Sequence, residues 1–209
     1  MKKLIILSAF ISSAFVASAD NHWHGHGHGG GNSGGGTGTG GTTSGGSESG
    51  SATQTTNLNL SNAIEITFTG SGNATGTDVN MAFNTVNDYA NGVTSGEQEM
   101  VVRSNKNFSV SVKANSSQFS YTGTATPTPN MPVSSVLNIK VTANGTGGTV
   151  SNPFSTTNYT NITPASRTMI SNGSRGGNQT FSIKYMADPG FNYPAGTYSA
   201  DVVYTATQI

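Results

Sequence analysis

Pro194-Ala-Gly-Thr-Tyr198-Ser-Ala-Asp-Val202-Val-Tyr204-Thr-Ala206-Thr-Gln-Ile209 closes the chain. A Pro and a Gly end a loop, and a period of two follows. Tyr198, Ala200, Val202, Tyr204 and Ala206 fall on one face; Ser199, Asp201, Val203, Thr205 and Thr207 fall on the other. Successive side chains of a strand leave opposite faces of the backbone, so this alternation predicts a half-buried strand. As the longest clean alternation in the chain, it is expected to be a central strand on which the others pair.

Working outward, the same period recurs. Ile64, Ile66 and Phe68 alternate after Leu58 and Leu60, with a bend at Ser61-Asn62. Val79, Met81 and Phe83 follow, then Gln98 to Ser104, then Asn107 to Lys113 with Phe108, Val110 and Val112 inward. The short link Asn105-Lys106 predicts a hairpin. Phe119 and Tyr121 mark a brief strand, and Pro127, Pro129 and Pro132 an exposed loop. Beyond it come Val136 to Ala143, a weaker strand over 165–171, a hairpin loop over 172–178, and Thr180 to Met186. About nine short strands, turn signals between them and no convincing helix predict an all-β antiparallel sandwich of Ig-like or pilin-like type over residues 57–209.

Composition agrees with a thin sandwich. Charged residues are 9% and hydrophobic residues 33% of the 209, with 28 Gly and no Cys. Soluble domains usually carry about 25% charge. Here Asn, Ser, Thr and Gly replace it, as suits chains that lie side by side outside the cell.

Residues 1–19 read as a secretory signal peptide: Lys2 and Lys3, an apolar run, then Ala17-Ser18-Ala19 as the cleavage site. Cleavage leaves 7 basic residues against 9 acidic ones, which argues against a nucleic-acid partner. The apolar run is shorter than the roughly 20 residues of a spanning helix, so no transmembrane anchor is expected. The expected location is secreted or at the cell surface, in the periplasm or on the outer surface of a Gram-negative cell.

Residues 20–56 read as a His-, Gly- and Ser-rich arm without apolar period, expected to be disordered. All four His, at 22, 24, 26 and 28, sit there. After cleavage, Asp20, Asn21 and His22 would offer a free amine, backbone amides and a third-position imidazole, a square-planar set for Cu(II) or Ni(II). His24, His26 and His28 add imidazoles that could share Zn(II) or Cu(II). The alternative is a polar spacer, and Cu(II) calorimetry on the processed chain separates the two. No cofactor is otherwise required.

The final strand carries a resemblance. Ala195-Gly196-Thr197-Tyr198 and the alternation after it resemble the last strand of pilin-like domains, including spore-coat-U-type subunits. They are also similar to the distal part of WxL surface domains, with Tyr204-Thr205-Ala206 standing where Trp-x-Leu would be and Phe108 in place of an earlier Trp. The resemblance implies a secreted, fimbrial-like or adhesive surface protein.

The region past residue 56 contains neither His nor Cys, so nucleophile–His arrangements cannot be built there and no catalysis is expected. The expected task is contact: adhesion or assembly with itself or an extracellular polymer. A strand edge is the physical route, with Leu58, Leu60, Ile64, Ile66, Phe68, Tyr198, Val202 and Tyr204 as candidates and 57–68 as the exchanged segment. Tyr159, Phe191 and Tyr193 are loop aromatics suited to carbohydrate. The alternative function is metal handling by the arm.

Overall fold

A computed structural model describes residues 49–209. The expected signal peptide, the His tract and most of the expected arm lie outside the described residues.

Two antiparallel sheets face each other. The first contains β1 (Ile64–Phe68), β3 (Gln98–Ser104), β10 (Gly176–Ala187), β6 (Leu137–Asn144) and β8 (Thr160–Asn161) in that order, with β2 (Val93–Thr94) also on β10. The second runs β12 (Val202–Gln208), β4 (Phe108–Ala114), β9 (Arg167–Gly173), β7 (Thr149–Val150). A ribbon of β5 (Ser120–Thr122) with β11 (Thr197–Ser199) stands apart. The chain is an all-β sandwich.

The inward faces are those the alternation predicts. Phe108, Val110 and Val112 of β4, Leu137, Ile139 and Val141 of β6, and Phe181, Ile183 and Tyr185 of β10 are all buried in one cluster. Met100 and Val102 of β3 and Met169 and Ile170 of β9 join it, with Ala114, Val133, Phe154 and Ile162. Burial at about 25 cal/mol per Å² of apolar surface is what holds a sheet pair that has no disulfide.

Four expectations need correction. The closing strand is an edge, not a centre. It begins at Val202, because the run from Tyr198 breaks at Ala200-Asp201 and gives its first part to β11. Alternation fixes which face is buried and is silent on how many neighbours a strand has. The inner position belongs to β4, which pairs with both β12 and β9.

Second, Asn105-Lys106 is no hairpin: β3 and β4 lie in opposite sheets. Their apolar faces look at each other across the core instead of sharing one side. Ser104 Oγ donates to Lys106 O and accepts from Lys106 N, which shapes this arch. Third, the expected hairpin loop over 172–178 is an arch as well: only Ser174 and Arg175 link the end of β9 in one sheet to the start of β10 in the other. Asn172 takes the left-handed conformation there (φ 54°), which Asn tolerates better than most residues.

Fourth, two short helices exist. α1 (Val86–Asn91) starts at a reciprocal cap: Thr85 Oγ1 accepts from Asp88 N, and Asp88 Oδ2 accepts from Thr85 N. These bonds, with one from Asn84 N, hold the Asp88 carboxyl below its ordinary range. α2 (Val133–Val136) is one turn leading into β6. Val79, Met81 and Phe83 do turn inward in alternation, yet they form no ladder.

Candidate functional site

The sandwich has one blunt side and one open side. On the blunt side the outer strands β7 and β8 have two residues each. On the open side the outer strands are β1 and β12, with five and seven residues.

Hydrogen bonds fix which backbone groups of β12 point outward. Asn115 N donates to Asp201 O, and Ile209 N donates to Asn107 O, so residues 201 and 209 turn their polar groups toward β4. In an antiparallel ladder the facing groups alternate, so 203, 205 and 207 do the same. Val202, Tyr204, Ala206 and Gln208 therefore aim their N–H and C=O groups away from β4. No backbone partner meets them among the described residues.

The same reasoning applies to β1. Asn105 N donates to Ala63 O and Thr69 N to Glu99 O, so Ile64, Ile66 and Phe68 have outward backbone groups. Those of Phe68 are taken by its own turn: Phe68 N donates to Asn73 O and Gly72 N to Phe68 O. Ile64 and Ile66 keep theirs free among the described residues.

Between the two edges lies a cleft of about 190 Å³, lined by Ile66, Phe68, Met100, Val202 and Tyr204 among others. Phe68 meets Tyr204 edge to face at 6.2 Å. At its floor the Tyr204 and Tyr185 hydroxyls hydrogen-bond at 2.7 Å. Burial pushes the Tyr185 phenol up to about 12. Burial raises Tyr204 well above its ordinary value too, helped by Tyr185 beside it.

This pair makes stability depend on alkaline pH. An unfolded tyrosine ionises near pH 10. Above that point the unfolded chain binds fewer protons than the folded one, so stability falls as pH rises. The contribution is fully present below pH 10 and is lost progressively through about pH 12 for Tyr185. Urea midpoints are expected to drop between pH 10 and 12, and Tyr185→Phe should flatten that drop; an equal slope in the variant refutes the assignment.

The leader before β1 is held at one place. Asn105 Oδ1 accepts from Ala63 N, Asn105 Nδ2 donates to Ser61 O, and Gln208 Nε2 donates to Ala63 O. Upstream, residues 51–62 are exposed and outside any strand, with Leu58 at 83% and Leu60 at 91%. Leu58 and Leu60 thus do not extend β1, contrary to the reading of 57–68 as one unit. Of the other candidates, Ile66 and Phe68 pack on the core, Ile64 is exposed, and Val202 and Tyr204 line the cleft. Tyr198 lies on β11, at the other end of the sandwich.

The metal candidates Asp20, Asn21, His22, His24, His26 and His28 lie outside the described residues. Among the described residues no three His, Cys, Asp or Glu gather to hold a metal ion, and no helix is long and apolar enough to cross a membrane.

No family model matches the chain, and no curated protein matches it.

Proposed function

We propose that this chain is an exported structural or adhesive protein of the cell surface, which assembles with copies of itself by strand addition and works by contact instead of catalysis. The observation that carries this reading is the β12 edge: four residues whose outward backbone groups meet no partner among the described residues, beside an apolar cleft, in a chain whose leader exposes two alternating leucines. An unpaired edge is a template for a further strand.

The leader suits that role better than β1 does. Ile64–Phe68 is already bound to β3 along five register pairs. Residues upstream of Ser61 have no such commitment among the described residues, so the exchanged segment narrows to the stretch around Leu58 and Leu60. The leader also departs from the end of the sandwich where β12 terminates, since Gln208 touches Ala63. Returning onto its own β12 would require a reversal within the two residues between Leu60 and Ala63. A neighbouring copy needs no reversal. A head-to-tail contact of this kind does not close on itself and gives an open fibre. Export, low charge and the pilin-like last strand support the same reading.

Light scattering and electron microscopy of the secreted protein test it. Oligomers or filaments are expected for the natural chain and monomers for the double variant Leu58→Asp, Leu60→Asp, with unchanged thermal stability because both side chains are exposed. A natural chain that is strictly monomeric at high concentration sinks the reading.

A further inference from the structure

We propose that the end of the sandwich opposite the leader is a binding face for a neutral polysaccharide, with Phe191 as its exposed platform. This goes beyond self-assembly and uses none of the residues that would carry it.

Topology gathers this face from distant parts of the chain. β10 ends here at Ala187 and β6 begins here at Leu137, its neighbour across the ladder. α1, the β5–β11 ribbon and the loop over 188–196 collect above a small second core of Met131, Val136 and Ala187. Phe191 stacks on Tyr89 of α1, with ring centroids 5.6 Å apart and 24° between planes. Tyr89 packs in turn on Phe83 at 5.3 Å. Phe191 remains 66% exposed although one side is backed by Tyr89, which leaves its other side open. Val86, one turn earlier on α1, is 75% exposed and extends the apolar strip. Next to it, Tyr198 touches both Tyr121 at 4.9 Å and Tyr193 at 6.4 Å.

The support is fixed in advance. The Tyr198 hydroxyl donates to Pro194 O at 2.8 Å, and the Tyr121 hydroxyl donates to Ala195 O at 3.0 Å while accepting from Ala125 N. Both bonds tie the 188–196 loop to its base. Gly92, at φ 72°, lets α1 end against the backbone of Ala187, where a Cβ would come within 2.7 Å of the carbonyl oxygen. A platform already ordered loses little entropy on binding.

The chemistry selects a sugar. An aromatic face carries the negative lobe of its quadrupole, and it attracts polarised C–H bonds such as those on the flat side of a pyranose ring. Tyr193 and the exposed Asn192, both within two residues of Phe191 in the same loop, add polar groups that suit the hydroxyls at the ring's periphery. A solitary platform with a polar rim is too small for the apolar centre of a stable protein interface. Two carboxylates stand beside the platform, Asp88 next to Tyr89 on α1 and Asp188 at the start of the loop that carries Phe191, and they disfavour an anionic polymer there. The Asp88 carboxylate is occupied in capping α1 and so offers no site to a cation.

Affinity electrophoresis of the full processed chain provides the test, in gels containing hydroxyethylcellulose, a mixed-linkage β-glucan, xylan or polygalacturonate. Retardation by at least one of the three neutral polymers is expected. Phe191→Ala should weaken it at least fivefold, and Phe191→Trp should preserve it. Phe191 is exposed, so the folded state survives both changes, and an unchanged urea midpoint confirms that. Retardation by polygalacturonate alone, none by any polymer, or equal retardation of Phe191→Ala overturns the proposal. So does a self-association abolished by Phe191→Ala, which would make this face a contact between copies. The leader and β12 are untouched in these variants, so failure here is separate from failure of strand addition.

Discussion

Thr205→Pro is expected to cost the domain about 3 kcal/mol or more, whereas Ala206→Pro, one residue on, leaves it folded and unable to assemble. The N–H of Thr205 faces β4 and belongs to the ladder; that of Ala206 faces outward. Proline removes a donor in both cases. At 205 the lost donor strands a carbonyl of β4, and the ring intrudes between two paired strands. At 206 no bond within the domain is lost, and proline on the open side of an edge strand is where sheets tolerate it. Its fixed φ costs about 1 kcal/mol or less at such a position. An incoming strand, however, would lose a bond and meet the ring. Urea unfolding reports the first effect and light scattering the second. Equal destabilisation by both substitutions would show that the outward assignment of Val202, Tyr204, Ala206 and Gln208 is wrong.

Phe108→Ala should be among the most damaging single truncations, at about 3–5 kcal/mol. The Phe108 ring is fully buried where β4 leaves its arch. It closes directly over Gly173, where a Cβ would come within 2.7 Å of the ring. The arches on either side, Ser104 to Phe108 and Gly173 to Gly176, brace that spot, so the surroundings cannot collapse into the void. A domain of this size has only about 5–15 kcal/mol of net stability, so the loss should move the urea midpoint by a large fraction of its value. A loss under about 1 kcal/mol would mean that the ring is not packed as described.

The inward faces of β4, β6 and β10 were readable because period two is a direct image of burial in a strand. Partner choice was not. Gln98 to Ser104 and Asn107 to Lys113 would show the same alternation as a hairpin in one sheet or as an arch across two, and only the rest of the core decides. The closing strand misled in a related way: its clean pattern reflects a face packed on β1 and β3, with no information on what flanks it. Leu58 and Leu60 alternate like a strand and pair with nothing among the described residues. The helix α1 did leave a signal, Thr85-x-x-Asp88, the spacing of a reciprocal cap. The aromatic end is assembled from residues 83–89, 121 and 191–198. Phe191 and Tyr193 are legible as loop aromatics and Tyr121 as part of a brief strand, but the stacking of Tyr89 on Phe191 and of Tyr121 on Tyr198 is not, because those partners lie far apart in sequence. Tyr159 belongs elsewhere, beneath the ammonium of Lys140.

The pairing order of the strands also sets a timetable. β4 is flanked by β9 and β12, which are made some 55 and 90 residues later, and β3 waits for β10 in the same way. The first sheet therefore closes only once β10 is present, and the second only once β12 is present. Such high contact order places folding in the millisecond-to-second range, because the loops between paired strands must close before the ladders repay their entropy.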